Sequence, residues 1–107
     1  IANMVRSSFR IAIQDLSASG RVSKAAVEYW EQLGIHPQLA ESRARSYLVL
    51  IQEKINSSAK VTIRDMYDFL DAMAEEFKDS YQDALSRIGL DELGSEGFMA
   101  QGATKPQ

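Results

Sequence analysis

The sequence predicts an all-α fold of four helices. Three observations carry that expectation. Apolar residues recur at spacings of three and four in four separate stretches, the signature of helices with one buried face. Glycine, proline or polar clusters ("SASG", "GIHP", "SSAK") punctuate the chain between them. No alternating pattern is sustained beyond one ambiguous run near the start. The 107 residues are 45% apolar and 25% charged, an ordinary globular balance, and enough for one modest core. A core of that size leaves dimerisation open as a source of further burial.

The first helix is read over 4–17, where Val5, Phe9, Ala12, Ile13 and Leu16 form the stripe. A strand through Phe9, Ile11 and Ile13 competes, but a fourteen-residue segment ending in glycine suits a helix better. The second lies in "GRVSKAAVEYWEQLG". Ser23 can cap it, because its hydroxyl accepts from an orphan amide of the first turn. Ala26, Val27, Trp30 and Leu33 share its inner face, and Gly34 can take the left-handed position that ends it. "GIHP" is a loop, since Pro37 also restricts His36.

The third helix spans 38–56, striped by Ala40, Ala44, Tyr47, Leu48, Ile51 and Ile55. The fourth opens at Thr62, with Asp65 three residues on as the partner of a capping box and Val61 placed to staple the first turns. Its stripe of Met66, Leu70, Met73, Phe77, Tyr81, Ala84 and Ile88 predicts one helix over 62–88, roughly 40 Å long. Such a rod must pack along an antiparallel helix, a dimer mate, or both. Residues 90–107, with scattered glycines and no period, predict a flexible tail. Phe98 and Met99 are either incidental there or a short docking peptide. The organisation expected is 1–35 as one helical unit and 36–89 as a hairpin. That hairpin either continues the same domain or forms an oligomerisation arm.

Charge is uneven. Residues 1–64 hold nine Lys/Arg against five acids, and 65–107 hold three against ten, within a net charge of −3. A basic front and an acidic back suit different partners. Asp68, Asp71, Glu75 and Asp79 mark the acidic face expected to meet a protein.

No cluster announces a reaction. There is no cysteine, which excludes disulfides, thiolate metal sites and cysteine nucleophiles, and fits a reducing, cytoplasmic setting. His36 is the only histidine, so paired-His metal motifs are impossible. The Glu-x-x-His element of carboxylate bundles, the calcium-loop pattern and the phosphate-binding glycine loop are all missing. No apolar run reaches the roughly 18 residues of a membrane span. The expectation is a non-enzymatic protein without cofactor or metal.

The stretch "SGRVSKAAVEYWEQLG" resembles the turn and second helix of ribbon-helix-helix DNA-binding proteins, ParD-type antitoxins in particular. The matching residues are Gly20, Arg21, Ser23, Val27, Glu28, Tyr29, Trp30, Leu33 and Gly34. The resemblance covers about residues 1–34. It implies a base-reading strand on "IANM", which carries no Arg or Lys, followed by the first helix. It implies a dimer with Phe9, Val27, Trp30 and Leu33 at its core or interface. It places Arg21, Ser23 and Lys24 on a DNA phosphate, where helix amides and dipole favour an anion. The function implied is an antitoxin-like repressor or a plasmid maintenance or transfer accessory protein, its acidic half the toxin-binding or oligomerising arm. The DNA-binding dimer is the narrowly preferred expectation; almost level with it stands a helical-bundle interaction module: an adaptor, a chaperone, or a phage- or plasmid-encoded inhibitor without DNA binding.

Overall fold

The computed structural model describes residues 2–80, 82, 83 and 86. Four helices follow in order: α1 (Ala2–Ser19), α2 (Lys24–Gln32), α3 (Pro37–Asn56) and α4 (Ile63–Glu76). No strand occurs among the described residues.

Helix α1 buries Val5, Ser8, Phe9, Ala12, Ile13 and Leu16, the spacing of a single helical face. Ser8 sits within that face because its hydroxyl is satisfied internally, donating to the Val5 carbonyl at 2.6 Å. The helix stops at Gly20, whose φ of 75° suits glycine and whose N–H closes on the Leu16 carbonyl at 2.9 Å. One expectation is corrected here, and one reading holds. Ala2–Met4, where the resemblance places a strand, are helical, and so is the ambiguous run from Phe9 to Ile13. The whole stretch from Val5 to Leu16 presents one buried face. A strand would have thrown half of those side chains into water.

Helix α2 is capped as expected, the Ser23 hydroxyl accepting from the Ala26 N–H at 3.2 Å. It ends in a Schellman turn. Gly34 at φ 76° donates to the Glu31 carbonyl, and Ile35 donates to the Trp30 carbonyl at 2.9 Å. Ile35 is thereby folded back into the core. Pro37 belongs to α3 rather than to the preceding loop, since it occupies the first turn, where no N–H is needed.

Helix α3 closes with the same turn built on Ser58, at φ 62° without being glycine, as Ala59 donates to the Lys54 carbonyl at 2.8 Å. Helix α4 begins with the expected Thr62–Asp65 pair, the carboxylate accepting the Thr62 N–H at 2.9 Å. It is not the single rod over 62–88. It ends at Glu76, Phe77 leaves helical geometry at φ −107°, ψ 13°, and helical residues resume at 78–80. Phe77 is buried against Phe9 at this break, so the apolar stripe stays in register while the backbone does not. Tyr81, Ala84 and Ile88, and the Phe98–Met99 pair, lie outside the described residues.

All four helices feed one core. Helix α1 is its spine and touches each of the other three, and α4 packs chiefly on α1 rather than on α3. Phe9 is the hub. Its ring meets Trp30 at 5.4 Å, Phe69 edge-on at 5.9 Å and Phe77 stacked at 5.6 Å. The Trp30 indole N–H finds no acceptor among the described residues. Leu33 joins Trp30 in the core, but Val27 does not. Ala26, Trp30 and Leu33 lie along the buried face of α2, and Val27 is left half-buried at its edge.

Candidate protein-docking seam

The basic loop between α1 and α2 carries the phosphate contacts that the resemblance implies. Arg21 and Lys24 are exposed where α1 turns into α2, and Arg45 reaches over from α3 to the Gly20 carbonyl at 3.1 Å. Three cations therefore stand at one corner. Two features answer them. Arg45 is also paired to Glu41 at 2.8 Å. The Asp15 carboxylate accepts the Ser23 N–H at 3.0 Å, so a carboxylate already stands at the start of α2, where a phosphate was expected. Ser23 itself is committed to its cap and only half-exposed.

The acidic face is laced rather than bare. Asp71 pairs with Arg6 at 2.9 Å and Glu75 with Lys78 at 2.6 Å, while Asp68 lies 3.8 Å from Arg64. Asp79 is exposed one residue beyond Lys78 and helps hold the ammonium protonated, after the larger effect of Glu75. These pairs are exposed, so each is worth little in isolation.

A different surface stands out once the helices are in place. Because α4 leans on α1, a seam opens between α3 and α4, a cavity of about 410 Å³. Its floor is a stack of Tyr47 on Phe69, ring centroids 4.6 Å apart. Leu50 and Ile51 make its apolar wall. Leu50 is 54% exposed, and with Ile51, Tyr47 and Phe69 it makes an apolar patch rather than a lone apolar side chain. Two ion pairs span the seam on either side of Leu50. Arg43 grips Glu76 with two nitrogens at 2.8–3.1 Å, and Lys54 meets Asp65 at 2.9 Å.

The electrostatics of this rim are specific. Asp65 is held below its ordinary carboxylate range, first by the Thr62 N–H and then by Lys54. Arg43 is held more firmly protonated, first by its hydrogen bond to Glu76. The Tyr47 phenol is pushed up by burial, with a smaller contribution from Asp65, and stays neutral. None of these groups is poised to move a proton near neutrality. Among the described residues, no group of three or more His, Cys, Asp or Glu gathers as metal ligands would. No described helix is long and apolar enough to cross a membrane.

Sequence reasoning missed this seam. Its signal was the run "YLVLI" at 47–51, apolar over more of the helix than one buried stripe requires. Tyr47 and Ile51 belong to the stripe, whereas Val49 and Leu50 fall outside it and are exposed. The cross-helix pairing, between residues 33 positions apart for Arg43 and Glu76, left no local trace.

No protein-family model matches the chain, and no similar curated protein or solved structure was found.

Proposed function

We propose that the chain is a non-enzymatic helical interaction module that docks protein along the α3–α4 seam. The observation that carries this is Leu50. The core around Phe9 is closed, yet a leucine stands half in water over an aromatic floor, framed by ion pairs. An apolar centre inside a charged rim is the anatomy of a protein interface. The chemistry of the rim supports binding rather than catalysis, because its charges are paired and its pKa shifts favour the states already present at neutral pH. The test is the fluorescence of bis-ANS at concentrations low enough to keep the chain monomeric. The dye should bind the parent chain and lose most of its signal in Leu50→Glu. Equal signal in both proteins removes the seam as the docking surface.

A second reading, the ribbon-helix-helix-like DNA-binding dimer, draws support from the corner where Arg45 joins Arg21 and Lys24. It places second because Asp15 opposes a phosphate at the start of α2 and because one chain already buries Phe9, Trp30 and Leu33. Fluorescence anisotropy with duplex DNA at two salt concentrations tests it. On this reading Arg21→Ala and Lys24→Ala each weaken binding and lower the salt slope by about one. Unchanged binding in both variants removes the contact.

A further inference from the structure

We propose that the occupant of the seam is a second copy of this chain, two α3–α4 hairpins meeting face to face around a two-fold axis. This rests on the docking reading above and adds the partner. The sign of each wall selects the partner. The seam charges contributed by α3, Arg43 and Lys54, are positive, and those contributed by α4, Asp65, Asp68 and Glu76, are negative. A partner of uniform charge is attracted by one wall and repelled by the other. A second copy turned by a two-fold that runs along the seam lays its α3 along the mate's α4 and its α4 along the mate's α3. Both walls then meet the opposite sign, which is the self-complementarity that an isologous interface demands.

The spanning ion pairs restrict the geometry further. Arg43–Glu76 and Lys54–Asp65 tie the two helices together on either side of Leu50, so no foreign helix can wedge between α3 and α4 without breaking them. The partner must lie over the seam, as the hairpins of a four-helix bundle lie on each other. Leu50 then falls near the axis, where it meets its own copy. Asp68 is the carboxylate most free to reach across. Its side chain is 68% exposed and holds Arg64 only loosely, at 3.8 Å.

The experiment is sedimentation velocity on the full chain over a wide concentration range, beside Leu50→Glu and Asp68→Lys. The parent should show a concentration-dependent dimer. Leu50→Glu should raise its dissociation constant by at least about 30-fold, as removal of a central anchor does. Asp68→Lys should raise it by about 10-fold, because the new cation faces Arg43 and Lys54 of the mate. Both positions are exposed in the single chain, so both variants should keep the parent's helical circular dichroism. The absence of native cysteine makes cross-linking clean: Leu50→Cys should form a disulfide-linked dimer, and Glu28→Cys on α2 should not. A chain that is monomeric throughout overturns the proposal, as does a dimer that both variants leave intact or one that cross-links through Glu28→Cys alone. The two readings fail separately. A monomer whose bis-ANS signal still depends on Leu50 keeps the docking surface and loses the second copy, whereas a monomer without that signal loses both.

Discussion

The two ends of the α3–α4 hairpin treat the same sequence pattern in opposite ways. On α4 and at its C-terminal cap, Ile63, Tyr67, Leu70, Ala74 and Phe77 follow one another at spacings of four and three. The last three are buried at 0–5% exposure, while Ile63 is 70% and Tyr67 48% exposed. On α3 the stripe likewise passes from buried Ala44 through half-buried Leu48 and Ile51 to exposed Ile55. Periodicity is the same at base and tip, and burial is not. The difference is the cover, since α1 lies over the base and nothing described lies over the tip. A hydrophobic stripe states which face wants to be buried. Whether it is buried depends on how far the neighbouring helix reaches.

The largest effect is expected at the base. Phe9→Ala removes the ring on which Trp30, Phe69 and Phe77 converge, and should cost about 3–5 kcal/mol in urea unfolding. A loss below about 1 kcal/mol would mean that the core is not organised around α1. Asp65 at the tip gives a pH-dependent contrast. Its folded-state pKa is depressed, so its contribution is present above the ordinary value of 3.8 and fades as pH falls below it. Asp65→Asn should therefore lower the melting temperature at neutral pH. The parent and variant curves should converge well below pH 3.8. A gap that persists in acid would assign the effect to something other than the carboxylate.

Smaller effects sharpen the contrast. Ser58 sits in the left-handed region at the end of α3, so Ser58→Gly should relieve strain and raise stability by about 0.5–1 kcal/mol. Destabilisation would show that the serine side chain holds the turn. Ile63→Ser should change the unfolding free energy of the single chain by no more than about 0.5 kcal/mol, because that side chain is already in water. A cost like that of Phe9→Ala would mean that the tip is covered after all.

What the sequence made legible was local. The presence and order of four helices, the Ser23 cap, the Gly34 stop and the Thr62–Asp65 pair all depend on residues within one or two turns and are found as read, whereas the length of the fourth helix is not. What escaped was relational. The interruption at Phe77 leaves the apolar spacing unchanged, so a stripe cannot report it. Val27 and Ala26 both lie near the inner face of α2, and only the placement of α1 decides that the smaller residue is the buried one. The strand expected at the start depended on resemblance, whereas Ala2–Met4 are helical and exposed, one turn ahead of a stripe that begins at Val5. The Asp15 carboxylate that answers the amide of Ser23 lies eight residues upstream, on another helix. The seam belongs to the same class, being a product of where α4 leans.

One consequence of the α1 spine concerns synthesis. The ribosome delivers α1 first, but the α4 surface that covers it arrives only when Phe69 and Phe77 emerge. At about 5–20 residues per second, that interval is on the order of several seconds. Until then Phe9 and its neighbours have only α2 and α3 to turn to, and the nascent chain carries an uncovered apolar ridge. The Schellman turn after α2 and the capped start of α4 are both local, so each can form as soon as its own residues are free. The core cannot close in the same way. It waits for the end of α4, and this is the interval in which a nascent-chain chaperone or a premature encounter between copies would act.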